Sequence, residues 1–408
     1  MADDFLSGES LYRDVVRYAD FGEHRTATPG EERTTDWMAE RLAECGLKVD
    51  FQPFTQETYF VEQTSLVVEG RQLECFPLWP PTWTGDSPVR GRLVGTVDGS
   101  GIPAGSIALL TPSFSYGGPP YSYEGDDTAI GAASKAGASA AVVVANGPSD
   151  GMHAYNTPAD TERWPIPVAL TPKRNGAFLS AAADSGAGAD LLLTGTDAPQ
   201  ARPRNLVARL ERGDKAIVIS TPKSGWFACA GERGPGVALF LALARWANER
   251  DSQVSYLFDA NTGHETMGTG IRQFVDNLAP GPEQVLAWIH LGANISTWDW
   301  EDTGTGLVKQ ARPENYRVMC SSEKLLPLVN QAFTPLPGLQ PRAGRGLGEM
   351  RLMIQMGYRG FGVNGGPYHY FHAPEDRPEV ATAPELLEPM CAALVRVLEL
   401  LEEKGWPQ

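Results

Sequence analysis

Cysteine is scarce in this sequence, and its spacing is irregular. The five cysteines are odd in number, and no two of them form a Cys-x-x-Cys pair. This pattern excludes the disulfide framework of small secreted domains and the cysteine-rich type of zinc site. We expect reduced thiols that are packed rather than catalytic at Cys45, Cys75, Cys229, Cys320 and Cys391.

Positive charge and long apolar runs are also lacking. The chain has 34 Lys and Arg against 50 Asp and Glu, a net charge of −16, which argues against nucleic acid or an anionic membrane as a partner. No apolar run reaches the roughly 18 residues that span a bilayer. The start, "MADDFLSGES", has neither the basic nor the apolar region of a signal peptide. We therefore expect a cytoplasmic protein that acts on a small molecule and binds neither nucleic acid nor membrane.

The length of the chain and a change in its sequence pattern between residues 65 and 200 indicate two domains. At 408 residues it is long for one hydrophobic core. Between residues 65 and 200, short strand-like runs such as "GSIALLT" and "AAVVVAN" alternate with Gly/Pro-rich turns around a single Ala-rich helix, which predicts a β-rich domain. Pro199 and Pro203 mark its exit. The expected domains are 1–64 with 201–408, and an insert at 65–200.

From residue 205 onward, apolar strands alternate with helices. "KAIVIS", "VSYLFDA" and "VLAWIHLG" are typical of buried strands, and residues 235–250 of a helix with Pro235 in its first turn. Such alternation predicts an α/β domain with a mostly parallel sheet and helices on both faces.

One stretch, "FDANTGHETMGTGIRQF" (258–274), sets His264 beside Glu265 between an apolar strand and a helix. Open α/β sheets place their chemistry at the carboxyl ends of strands. The stretch is not the His-Glu-x-x-His zinc helix, because Gly268 stands where the second histidine belongs. Two interpretations stay open here: a turn histidine bonded to the backbone, and a catalytic pair.

Several segments together resemble metallopeptidase family 28, the zinc aminopeptidases, which also contains the glutaminyl cyclases. "FGEHRTATPGEERTTDWMAERLAECGLKVDFQPF" resembles that family's first helix and strand, and "NLVARLERGDKAIVIS" its return to the catalytic sheet. "GSIALLT", "ASKAGASAAVVVAN" and "WPIPVALT" are similar to the protease-associated domain often inserted in it. The resemblance implies an aminopeptidase-like fold with an inserted protease-associated-like domain.

The same resemblance implies that the two-zinc site is lost. The family's metal ligands and catalytic glutamates fall on Pro222, Ser224, Glu232, Arg233, His264, Glu265, Gly292 and His372. Pro222 and Gly292 cannot ligate a metal, and His264 takes the place of the general base. One alternative keeps a single zinc on Glu232, Glu265 and His372. The favoured interpretation has no metal cofactor, because Lys223 and Arg233 can supply positive charge beside the carboxylates.

Without a metal, the resemblance leaves a cluster suited to acid–base chemistry. His264, Glu265, Glu232 and His372 are the catalytic candidates, with Glu232 or Glu265 expected to orient the imidazole. A structural salt bridge between Glu265 and Arg233 is the competing interpretation. The substrate-binding candidates are Lys223, Arg233, Trp226, Trp298, Trp300, Tyr368, Tyr370, Arg345 and Glu349. Their aromatic character indicates an aromatic or apolar small substrate, although about half such residues simply pack between loops.

The sequence therefore predicts a metal-independent enzyme of the aminopeptidase fold. Its reaction is either hydrolysis of an amide or ester, or a proton-transfer reaction of the lyase or isomerase type. The alternatives are a one-zinc aminopeptidase, amidohydrolase or cyclase, and a non-catalytic binding module with a degenerate site. Homo-oligomer formation is left open.

Overall fold

A computed structural model describes residues 4–111, 129–303, 306–315, 317–364 and 369–404, and the chain forms two compact units. The first unit comprises Met1–Thr55, Arg202–His264 and Gly268–Gln408. The second comprises Gln56–Ala201 and Glu265–Met267. No helix in the described ranges is both long and apolar enough to cross a bilayer.

The helices begin and end as follows: α1 Gly8–Ala19, α2 Pro29–Glu44, α3 Ala129–Lys135, α4 Gly176–Ser185, α5 Gly234–Glu249, α6 Thr269–Asn277, α7 Leu326–Phe333, α8 Glu349–Gln355, α9 Pro378–Ala381 and α10 Pro384–Lys404. The strands are β1 Lys48–Pro53, β2 Gln56–Val68, β3 Arg71–Leu73, β4 Phe76–Pro77, β5 Val89–Thr96, β6 Ile107–Leu110, β7 Ala140–Val144, β8 Val168–Thr171, β9 Gly188–Ala201, β10 Arg204–Leu210, β11 Ala216–Pro222, β12 Ser255–Asn261, β13 Val285–Leu291, β14 Trp298–Asp302, β15 Leu307–Pro313, β16 Val318–Ser321, β17 Pro341–Ala343 and β18 Gly360–Asn364.

The first unit is built on an eight-stranded sheet in the order β1-β10-β12-β11-β13-β18-β16-β17. The central strands β12, β11, β13 and β18 are parallel, whereas β1 and β10 on one side and β16 on the other join antiparallel. A separate hairpin pairs β14 with β15. The predicted α/β class, with a largely parallel central sheet, is confirmed.

Helices cover both faces of this sheet, as the alternation along β11 illustrates. Ile217 and Ile219 point into the core that contains α1, α2, α5, α7 and α10, whereas Val218 points into the core beneath α6 and α8. All three side chains are fully buried. Successive side chains of a strand point to opposite faces, so a strand covered on both faces is apolar throughout. This explains the continuous apolar run that the sequence shows there.

The parallel strands bring chemically active residues to one edge of the sheet. β11 ends at Pro222 and is followed by Lys223, and β12 ends at Asn261, three residues before His264. The next parallel strand, β13, ends at Leu291. Carboxyl ends of parallel strands meet at the same edge of a sheet, and this arrangement positions the candidate site.

The second unit contains its own eight-stranded sheet, in the order β3-β2-β9-β5-β6-β7-β8-β4. Strands β5 to β8 are parallel, and α3 and α4 accompany them. The expectation of a single helix in this region needs correction, because α4 forms as well. Gly186 follows its last residue as the C-cap, and the φ of +73° there suits glycine. The boundary expected at residue 65 lies inside β2, because that strand continues to pair with β9 back to Gln56.

Candidate active site

The candidate site is organised around a hydrogen bond between His264 and Glu349. His264 Nδ1 lies 2.7 Å from Glu349 Oε1. The Glu349 side chain is 4% exposed and that of His264 is 17% exposed, so the carboxylate is enclosed while the imidazole reaches the surface. An ionised carboxylate only accepts hydrogen bonds, so Nδ1 carries the proton and Nε2 is left as the basic nitrogen. Glu349, not Glu232 or Glu265, is the residue that orients His264.

Further polar groups hold the second oxygen of Glu349. Asn261 Nδ2 donates to Glu349 Oε2 at 3.2 Å, and His290 Nε2 lies 3.9 Å from the same oxygen. Burial lowers the pKa of His290 to about 4, so this imidazole is neutral at pH 7. Burial opposes ionisation of Glu349, but the hydrogen bond and charge of His264 outweigh it and lower the Glu349 pKa. The carboxylate is therefore ionised and fixed in position.

A second histidine–glutamate pair includes the buried Glu232. Its Oε1 lies 2.6 Å from Arg233 NH2 and 3.3 Å from His372 Nε2. Burial disfavours the charge, but Arg233 first and His372 next lower the pKa of Glu232 to about 2. The charge of His264 also contributes to this shift, which places the two pairs within electrostatic range of each other. The interpretation that fixed cations accompany the carboxylates agrees with this geometry.

The loop around Glu232 is held through its main chain by the Asp376 carboxylate, and two residues of neighbouring loops have left-handed backbone conformations. Asp376 accepts hydrogen bonds from the backbone N–H groups of Gly231 at 2.7 Å and Glu232 at 3.0 Å. Close by, Asn294 and His372 adopt left-handed backbone conformations with φ of +55° and +58°, and the Asn294 N–H donates to the Glu232 carbonyl. Non-glycine residues in this region are uncommon and occur most often at functional sites. The surrounding structure thus fixes the position of Glu232.

Lys223 and Trp226, two of the predicted substrate contacts, are buried. Lys223 forms an ion pair with Glu31 of α2, and both side chains are fully buried. Trp226 is 1% exposed. Ser224 Oγ accepts a hydrogen bond from the main-chain N–H of His264, so it supports the loop rather than facing the imidazole as a nucleophile would. Lys223 and Trp226 are therefore structural side chains in this fold, and Ser224 supports the His264 loop.

The aromatic candidates are only partly accessible. Trp300 and Tyr370 are half-buried and pack edge to face, with ring centroids 5.0 Å apart. Trp298 is 9% exposed, and Lys309 Nζ lies 4.8 Å from its ring centroid. Arg345 is exposed, whereas Tyr368 lies outside the described residues.

Glu265 belongs to the second unit. It is 1% exposed, and its carbonyl accepts a hydrogen bond from the Thr157 N–H at 2.8 Å. The sequence interpretation grouped it with His264 because the two are adjacent in the chain. Residues 264–267 form a turn, and the division into compact units falls between His264 and Glu265.

Zinc, the metal that the family resemblance implies, does not fit this set of side chains. Within the described parts of the chain, no group of three or more His, Cys, Asp or Glu side chains is arranged to hold a metal ion. The alternative set of Glu232, Glu265 and His372 is therefore not such a group. Arg233 already occupies the Glu232 carboxylate and opposes the approach of a dication. We derive no chemical step through zinc.

Three residues of this site were not singled out from the sequence. Asp376 lies four residues after His372, and a carboxylate that follows a site histidine so closely was a usable signal. His290 lies near the carboxyl end of the apolar strand β13, and Asn261 is the last residue of the apolar strand β12. A polar residue at such a buried position was the signal that could have identified both.

The comparisons with known proteins support the fold. No protein-family model and no curated protein match this sequence. Among solved structures, a zinc aminopeptidase from Bacillus subtilis has a TM-score of 0.75 at 17% identity, covering 97% of this chain and 95% of that one. A peptidase M28 precursor from Shewanella amazonensis SB2B has a TM-score of 0.73 at 15% identity, covering 98% and 97%. An aminopeptidase from Aneurinibacillus sp. strain AM-1 has a TM-score of 0.63 at 17% identity, covering 98% and 94%. At these identities the similarity establishes an aminopeptidase-like fold.

Proposed function

We propose that this chain is an enzyme that transfers protons with a histidine–carboxylate pair and without catalytic zinc. The observation that carries the proposal is the 2.7 Å contact between His264 Nδ1 and the enclosed Glu349 carboxylate, with the imidazole partly exposed. Elimination or isomerisation of a small substrate fits this arrangement, because such reactions require a positioned base and no metal-activated water.

In this proposal His264 Nε2 removes a proton from the substrate and later returns it. Glu349 holds the ring through Nδ1–H and stabilises the imidazolium that forms, as an orienting carboxylate does in other histidine-based sites. Asn261 keeps the second Glu349 oxygen from rotating away. A positioned acid–base group of this kind typically accelerates the chemical step by roughly 10²–10⁴-fold.

The second pair supplies a complementary proton donor. His372 is held by Glu232, and Glu232 remains ionised because Arg233 is fixed against it. In its protonated form His372 can donate a proton to a leaving group or to an oxygen that develops negative charge. His264 then acts as the base and His372 as the acid.

The substrate we propose is a small aromatic or apolar molecule. Trp300 and Tyr370 form an edge-to-face pair and remain partly exposed, which suits stacking against a flat apolar group. Within the cluster, Arg233 is already paired with Glu232, so its charge does not favour an anionic substrate over an uncharged one.

The test follows proton exchange directly. The protein is incubated in D₂O with a panel of aryl-substituted ketones, amides and hydroxy acids, and NMR records the loss of substrate C–H signals and the appearance of products. We expect exchange or turnover with at least one compound, its loss in His264→Ala, and partial recovery of that variant with added imidazole. A substrate turned over equally by His264→Ala would refute the role of His264.

A second candidate function is hydrolysis of an amide or ester, with His264 activating water. It is favoured by the similarity of the fold to solved structures described as aminopeptidases. Reaction in H₂¹⁸O separates the two candidates, because hydrolysis places the label in the product carboxylate and proton transfer leaves the carboxylate unlabelled.

A further inference from the structure

A cavity of about 770 Å³ lies in the first unit beside the edge strand β17 and the helix α7. Its lining includes Arg317, Asn330, Thr334, Gln340 and Arg342. Leu336, Leu339 and Pro341 add an apolar side. This volume lies in the range of small-molecule sites, and a few polar groups against apolar walls are typical of them.

The charge of the lining is opposite to that of the protein. The described residues that line the cavity include two arginines and no Asp or Glu, although acids outnumber bases by 50 to 34 in the whole chain. An average area of this protein's surface would carry more acidic than basic side chains. An anion is therefore repelled by most of the molecule and attracted at this location.

The two arginines differ in burial and in their hydrogen bonds. Arg317 is 7% exposed, and its Nε and NH1 donate to the carbonyls of Glu314 at 3.0 Å and Ile295 at 3.3 Å. Burial lowers the pKa of Arg317 to about 10, and the charge of Glu314 offsets this only in part. Arg342 is exposed and forms no ion pair with any described residue, so its guanidinium is available to a ligand. One charge is fixed in the wall and the other can close over a bound group.

We propose that this cavity binds a small organic anion whose carboxylate or phosphate is held by Arg342 and by the amides of Asn330 and Gln340. The apolar body of the ligand packs against Leu336 and Leu339. Bidentate binding of planar oxyanions by arginine gives such a site its geometry.

This site is separate from the His264 cluster. In the described parts of the chain, no lining residue forms a hydrogen bond or ion pair with His264, Glu349 or Glu232. The antiparallel pairing of Val318 with Asn364 places the start of β16 at the carboxyl end of β18, so the cavity opens at the same edge of the sheet as His264. The inference does not depend on the proposed chemistry of His264.

The test uses benzoate, phenyl phosphate and the neutral analogue benzamide as probes, with calorimetric titration of the full chain. We expect benzoate or phenyl phosphate to bind more tightly than benzamide, and the preferred one of the two identifies the oxyanion. Arg342→Gln should weaken binding of the preferred anion about tenfold or more. Thr334→Trp, which fills the cavity, should weaken all binding there.

Two controls locate the binding. Arg351→Gln removes an exposed arginine that does not line the cavity, and His264→Gln alters the proposed catalytic base. Both should bind the preferred anion within about twofold of the parent. Equal binding of benzamide and the anions, or equal weakening by Arg342→Gln and Arg351→Gln, would overturn the proposal. Loss of binding in His264→Gln alone would assign the anion to the His264 cluster and overturn it as well.

Discussion

The buried pair of Lys223 and Glu31 allows a test that needs no substrate. Both side chains are fully buried and in ionic contact. Replacing Lys223 by Met leaves the Glu31 carboxylate with the Thr35 hydroxyl at 3.2 Å and the Ala27 N–H at 3.3 Å, but without its cation. Methionine keeps most of the side-chain volume, so the change removes charge rather than packing.

The expected loss follows from the burial of the remaining charge. Removing one partner of a buried ion pair typically destabilises a protein by about 3–5 kcal/mol, because the other charge stays uncompensated. Against the usual 5–15 kcal/mol of a folded domain, that loss is a large fraction of the total. The double variant Lys223→Met/Glu31→Leu removes both charges, so we expect it to recover most of the loss.

The assay is urea unfolding of the full chain followed by circular dichroism. The transition of the first unit should move to clearly lower urea in Lys223→Met, while Lys324→Met, at an exposed lysine, should leave it in place. If Lys223→Met unfolds within about 1 kcal/mol of the parent, the pair is not a buried structural element, and Lys223 returns as a candidate substrate contact.

Three further predictions follow from the same contacts. Glu349→Gln should slow proton exchange by about tenfold or more while the protein still folds, whereas the exposed Glu323→Gln should leave the rate unchanged. Equal rates in the two variants would contradict the orienting role of Glu349. Because the pKa of Glu232 falls from 4.5 to about 2 on folding, its ionised form contributes stability above pH 4.5 that is lost as the pH falls toward 2. Glu232→Gln should therefore reduce the dependence of the free energy of unfolding on pH in this acid range. An unchanged pH dependence would contradict the lowered pKa of Glu232. Added zinc or chelator should leave the melting temperature of the parent unchanged. Stabilisation by one equivalent of zinc would contradict the conclusion that the side chains of this site do not fit the metal.

The central sheet was predictable from the sequence, because buried parallel strands leave a local signal. The runs around Ile217, Phe258 and Ile289 are apolar at consecutive positions, which only strands covered on both faces require. The long strand β2 was missed as a continuous element. Its burial is mixed along its length, and its partner β9 lies more than a hundred residues later in the chain.

The location of the site was predictable from the sequence, but the hydrogen-bond partner of His264 was not. His264 was singled out because it follows β12, and the topology brings the ends of β11 and β13 beside it. Its partner Glu349 is 85 residues away in sequence, at the first residue of α8, and spacing alone does not reveal such a contact. Trp226 was predicted to contact substrate, yet loops that fold over a sheet edge also bury large side chains.

The contacts of the buried carboxylates in the first unit have a consequence for the maturation of the protein in the cell. Glu31 pairs with Lys223 and Glu232 with Arg233, while Glu349 accepts a hydrogen bond from His264, so the chain itself supplies each partner. Under the proposed zinc-free function such a centre is complete when the polypeptide folds, and we expect its biogenesis to require no metallation step and no metal chaperone. The yield of folded protein should therefore be indifferent to the zinc supply of the host.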